Sequence, residues 1–219
     1  MKKRIFILVG IFSCGVAKGQ DSTNRGFEFG LTAVAYNGLV SSYFLPEFYT
    51  TPRFQLFNGV QMNFNLDRMS FRGHFNYSND GKRCTHCSGG AFFVRNRQLK
   101  FGLQYYLRKK TPDLYSYFDL SATKGKSNGE IATDSLNNPD EPYTFESNTR
   151  GLGWDAGFGY KLKVFRNFSV VSEVGVNPID GRTNGQGTFY NNGGQSLAYY
   201  YRYKEVWLGA RLILTMKIQ

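Results

Sequence analysis

Hydrophobic side chains recur at every second residue in eight separate stretches of this chain. The last, Trp207 to Ile218, is the clearest. Leu208, Ala210, Leu212, Leu214, Met216 and Ile218 fall on one face, and Trp207, Gly209, Arg211, Ile213, Thr215 and Lys217 on the other. A period of two marks a β-strand whose faces meet different environments. The same pattern predicts strands over Gly26–Tyr36, Phe54–Leu66, Met69–Tyr77, Phe92–Leu107, Leu114–Thr123, Leu152–Leu162 and Phe168–Val176. In the first of these, Phe27, Phe29, Leu31, Ala33 and Ala35 share the apolar face, while Glu28, Gly30, Thr32 and Tyr36 share the other. In the second, Asn58 interrupts an otherwise apolar face.

The connections alternate in length. Those after the first, third, fifth and seventh strands are long and polar: 37–53, 78–90, 124–150 and 177–196. Those after the second, fourth and sixth are short: Asp67-Arg68, 108–112 and 164–167. Strands of ~9–11 residues cross a bilayer when tilted, and outer-membrane barrels carry short turns on the periplasmic side and longer loops outside. A soluble sandwich has no cause to sort its loops this way. The expected fold is all-β, an eight-stranded antiparallel up-and-down transmembrane β-barrel.

Composition agrees with this. The charged share is 20%, below the ~25% usual for soluble domains, while aromatic residues make up 17% and glycines number 25. The mean hydropathy of -0.40 points toward a soluble protein, but half of each barrel strand faces a polar interior, so averaging hides the lipid face. No internal stretch approaches the ~20 apolar residues of a membrane helix.

The first residues read as a secretion signal over 1–19, followed by a single barrel domain over 20–219. Lys2, Lys3 and Arg4 precede the mostly apolar Ile5 to Val16, and Ala17-Lys18-Gly19 places small residues before a cut at Gln20. A lipoprotein cut before Cys14 is disfavoured by Phe12 and Ser13, which make a poor lipobox. The formal charge is +11, and removal of Lys2, Lys3, Arg4 and Lys18 leaves +7. That excess favours anionic lipopolysaccharide headgroups. A nucleic-acid role is not expected, because the densest basic run, Arg108-Lys109-Lys110, falls in a turn.

An eight-stranded barrel encloses just enough space for side chains to fill it. The inward faces carry Arg72, Lys100, Lys161 and Arg211 against Glu28, Asp119, Asp155 and Glu173. Buried charges persist when paired and hydrogen-bonded. A lumen ionic network of Arg72, Lys100, Asp119, Asp155, Lys161, Glu173 and Arg211 is therefore expected, and a wide pore is not. Asp119 and Glu173 would also suit acid–base chemistry, but structural networks place carboxylates in the same way.

Cys84-Thr85-His86-Cys87 is the one compact chemical motif. In an exported chain a local Cys84–Cys87 disulfide is the better reading, since a closed zinc site needs four ligands and the sequence offers no second cysteine pair. No metal or other cofactor is expected. Gly151-x-Gly153 and Gly157-x-Gly159 lie within an alternating strand with no following helix, so they are not phosphate loops.

The strand count, the loop asymmetry and the amphipathic last strand together resemble the small outer-membrane barrels typified by OmpX and the membrane domain of OmpA, over Gly26 to Ile218. The presumed Gln20 start resembles secreted proteins of the Bacteroidota. Many such barrels end on Phe or Trp, whereas this chain ends Lys217-Ile218-Gln219. The resemblance implies residence in the outer membrane of a diderm bacterium, as a monomer with a structural or surface-interaction role. It implies contact with outer-membrane lipid and lipopolysaccharide, and a surface protein or envelope complex as candidate partner. Two alternatives stand beside it: passage of a small hydrophobic ligand or service as an accessory subunit, and lipid A deacylation. The last comes from Asn76-Tyr77-Ser78-Asn79-Asp80, which is similar to the His-x-Ser-Asn stretch of PagL-type deacylases. Ser78 matches the nucleophile, but Asn76 stands in place of the base and His74 lies two residues too early.

Overall fold

The structure, a computed structural model, describes residues 25–43, 53–83, 89–107, 113–135, 138–189 and 196–218. The expected signal segment, the Cys84 and Cys87 pair and the 108–110 basic run lie outside the described residues. The strands are β1 (Arg25–Tyr43), β2 (Arg53–Leu66), β3 (Met69–Arg83), β4 (Gly89–Tyr106), β5 (Leu114–Ser135), β6 (Asn138–Lys163), β7 (Phe168–Phe189) and β8 (Ser196–Ile218). Each pairs antiparallel with its neighbour in the chain. β8 returns to β1, with Phe27 opposite Ile218, and the sheet closes into an up-and-down barrel. Closure removes the open edges that would otherwise template aggregation.

The two faces follow the alternation. Phe27, Phe71, Phe101, Phe118, Leu120, Leu152, Phe158 and Met216 stand exposed on the outer wall. Tyr106, Tyr115, Ile213 and Val171 are buried inside, with the Tyr106 and Tyr115 rings edge to face at 5.6 Å. The band of exposed apolar side chains encircles the end of the barrel that carries the short turns. One of those turns is set by Asp67 at φ 54°, a left-handed value that Asp tolerates better than most residues. Another is closed by Val164 donating to the Phe168 carbonyl at 3.0 Å.

Two departures from the alternating pattern have local causes. In β1 the register slips between Thr32 and Val34 against both neighbours. This β-bulge advances the phase by one residue. Ala35, expected on the outer face, is therefore buried and sits opposite Arg211. Tyr36, expected inside, packs instead against Phe54, with ring centroids 5.2 Å apart. Facing the bulge, Phe57 adopts φ 49°, and Asn58 turns to the lumen side with Nδ2 donating to Gln55 Oε1 at 2.5 Å. The polar residue that interrupts the apolar face is thus removed from it.

The strands also run well past their expected ends. β5 and β6 pair from Leu114–Tyr160 up to Ser135–Asn138, across the stretch 124–150 expected as a loop. β7 and β8 pair up to Thr188–Ser196, through most of the expected 177–196 connection. β2, with 14 residues, and β3, with 15, are the shortest strands described, and β2 is the shorter. Its ladder with β3 stops at Gly59–Asn76, above which β2 stays with β1 and β3 with β4, so the wall parts there.

Candidate functional site

The interior of the barrel is a charged layer, and the sheet register assembles it. One row across the sheet reads Arg72, Gly102, Asp119, Asp155 on β3 to β6. The next places His74 opposite Lys100. On the far wall Glu173 of β7 sits directly opposite Arg211 of β8. Two acids side by side, Asp119 and Asp155, would repel, so cations must reach in from elsewhere.

They do so across the lumen. Arg72 donates through Nη1 to Glu173 Oε1 at 2.7 Å and through Nη2 to Oε2 at 3.1 Å. This bidentate bond joins β3 to β7, on opposite sides of an eight-strand ring. Arg211 Nη2 lies 3.1 Å from Asp155 Oδ2 and 3.0 Å from Glu173 Oε2. Lys100 Nζ also pairs with Asp155. Tyr115 donates its hydroxyl to Glu173 Oε1 at 2.6 Å. The Arg72 guanidinium stacks over the Tyr117 ring, 4.4 Å from its centroid, in a cation–π contact. Glycine makes room for one of these aromatics: a Cβ on Gly159 would collide with the Tyr115 ring.

Of the seven charged residues expected here, six meet in this layer. Lys161 stands apart, paired with Glu28 nearer the short-turn end. Asp119 is the weakest member. Its Oδ1 lies 3.1 Å from Arg72 Nε, yet the angle is too poor for a hydrogen bond, and both of its buried oxygens lack a donor among the described residues. His74 and Tyr115 join the network without being expected in it. Arg211 Nη1 lies 3.0 Å from His74 Nδ1, and Thr32 Oγ1 lies 3.1 Å from His74 Nε2. His74 stands out in the sequence only as the lone strand histidine, and Tyr115 carries no mark beyond its parity.

Both ring nitrogens of His74 are thus engaged inside the barrel. Ser78, the residue at the deacylase nucleophile position, lines the space above the charged layer. Among the described residues, no group of three or more His, Cys, Asp or Glu side chains is placed to hold a metal.

Above the charged layer the barrel opens into a cup of about 190 Å³. Lys100, Asp155, Arg211 and Tyr117 form its floor, and Asn37, Asn76, Asn96, Gln98, Trp207 and Tyr203 line its wall. The molecule therefore has a layer of buried charged side chains inside, an apolar belt on its outer wall and a polar cup above.

A continuous exposed apolar band of this kind belongs in lipid, where only closed barrels and helices satisfy their backbone groups. The class is that of the eight-stranded, lipid-embedded up-and-down β-barrels of the outer-membrane type. No protein-family model and no curated protein matches the sequence. Among solved structures it is similar to a major outer membrane protein of Thermus thermophilus, at 13% identity over 89% of this chain and 100% of that one, with a TM-score of 0.46. It is also similar to the outer membrane protein AlkL (12%, 93% and 96%, TM-score 0.46) and to the attachment invasion locus protein Ail of Yersinia pestis (12%, 86% and 99%, TM-score 0.42).

Proposed function

We propose that this protein is a plugged, non-porin barrel, a rigid membrane anchor that presents its extended strand wall and loops at the cell surface. The carrying observation is the Arg72–Glu173 bidentate bond across the lumen, buttressed by Arg211, Asp155 and Lys100. These charges neutralise one another and are buried, which supports a plugged lumen, so the side chains offered to a partner are those above the belt. Strand ladders that continue past the belt make that upper part stiff, which suits contact with other macromolecules better than passage of solutes.

The test is conductance in planar bilayers. The protein, inserted at neutral pH, is expected to show no large stable channels. Long-lived openings of porin size would remove the proposal.

One observation favours the alternative of small-ligand passage. The ladder between β2 and β3 ends at Gly59–Asn76, beside cup-lining Gln55, Asn58 and Ser78 and the exposed Phe54, Leu56 and Phe57, so a lateral route there would join the cup to the outer leaflet. A disulfide engineered between β2 and β3 above Gly59 would block that route. Ligand uptake that falls on oxidation and recovers on reduction would favour passage over the anchor reading.

A further inference from the structure

Just above the apolar belt, the sheet register brings five cations into one row on the outer wall. Arg97 of β4 is opposite Lys124 of β5, Lys124 is opposite Arg150 of β6, Arg150 is opposite Arg182 of β7, and Arg182 is opposite Arg202 of β8. All five are exposed. Directly opposed residues in an antiparallel pair hold their Cβ atoms about 5 Å apart, and like charges there destabilise the sheet. Here that penalty is repeated at four successive strand pairs.

Compensation from the protein is slight. Asp180 forms a bidentate pair with Arg202, and Glu146 is taken by Lys126. Arg97, Lys124, Arg150 and Arg182 have no carboxylate partner among the described residues. Immediately below them on β4, β5 and β6 come Leu99, Ala122 and Leu152, all exposed on the lipid face. On β4, β5 and β6 the cations therefore begin where the apolar side chains end, the level at which lipid headgroups would lie, while on β7 and β8 Asp180 and Lys204 come between the row and the belt.

We propose that this row is a binding track for the phosphate groups of outer-leaflet lipids, with Arg97, Lys124, Arg150 and Arg182 each offering a phosphate contact. Phosphorylated glycolipid is the committed occupant. Its acyl chains lie against the belt while its phosphates meet guanidinium and ammonium groups of matching charge. The bound anions would cancel a repulsion that the fold otherwise carries uncompensated. This inference rests on the membrane-embedded reading of the barrel. Its test therefore starts from protein whose insertion has been checked by the faster gel migration of the unheated, folded form.

The protein and the variant R97Q/K124Q/R150Q are placed in phosphatidylcholine nanodiscs, and thermal unfolding is followed with and without added bisphosphorylated lipid A. In phosphatidylcholine alone the variant is expected to melt higher than wild type, because the row no longer repels itself. Lipid A is expected to raise the wild-type Tm by several degrees and the variant by less than half as much. Dephosphorylated lipid A should have no such effect, and neither should inorganic phosphate at millimolar concentration. The charge-conserving variant R97K/R150K should keep most of the shift, and R150Q alone serves if the triple variant folds poorly. An equal shift in wild type and variant, no shift in either, or a full effect from dephosphorylated lipid would overturn the proposal. A full effect from inorganic phosphate would also overturn it, reducing the row to a general anion site.

Discussion

Glu173 and Asp119 are both buried acids in one lumen, yet they are held very differently. Glu173 accepts two bonds from Arg72 and one from Tyr115, and it faces Arg211. Asp119 has one ion pair and no hydrogen-bond donor among the described residues. Breaking a buried pair from one side costs about 3–5 kcal/mol because it strands the partner charge. Glu173→Gln should therefore cost about that much in urea unfolding of the reconstituted barrel. Asp119→Asn should cost clearly less, since it gives up little bonding and relieves the repulsion from Asp155. Equal losses would show that burial alone, not the partner geometry, governs these sites. Inward charges were legible as candidates because parity alone places Arg72, Asp119, Asp155 and Arg211 inside. Which acid meets which base was not legible. That pairing depends on register between strands distant in sequence and on the reach of an Arg side chain across the ring.

Individual strands were legible only as far as lipid touches them. Between Leu114 and Ala122 the outward residues must be apolar or small, so the period of two shows in the sequence. Beyond Lys124 the outer face of β5 is exposed and polar at Lys126 and Asn128, while the buried inner face holds only Gly125 and Ser127, so neither face carries apolar side chains. The ladder persists, with Ser127 and Ser147 bonded through their hydroxyls at 2.5 Å, but the hydrophobic signal that would reveal it is gone. The bulge at Ala33 was hidden for a related reason. Alanine at 33 and 35 fits either face, so the phase change leaves little trace. The crossing from lipid to water on β5 should then fall between Ala122 and Lys124. Nitroxides placed by Leu120→Cys and Phe101→Cys should relax with dissolved oxygen, and one placed by Asn128→Cys with a water-soluble nickel chelate. Strong nickel relaxation at Leu120 would mean that the belt has been placed at the wrong height.

Across the whole molecule, charge is distributed in two systems that salt reaches unequally. Inside, opposite charges pair in a layer whose side chains are nearly inaccessible. Pairs this deeply buried are little screened by salt. Outside, the row from Arg97 to Arg202 holds like charges in adjacent strands, in contact with solvent. The Debye length falls from about 10 Å at 0.1 M salt to about 3 Å at 1 M, below the spacing of about 5 Å between opposed Cβ atoms. The repulsion outside is therefore weakened while the attraction inside is kept. In zwitterionic lipid, raising sodium chloride from roughly 0.1 to 1 M should raise the unfolding temperature of the wild-type barrel by a few degrees. The gain should be smaller in R97Q/K124Q/R150Q, where most of the repulsion is already absent. Choice of anion separates this from stabilisation by salting out, which should act on both proteins alike and grow from chloride to sulfate. A fall in stability with sodium chloride would place the dominant charge interactions in solvent-exposed attractive pairs, and the buried layer would then contribute less than its geometry implies.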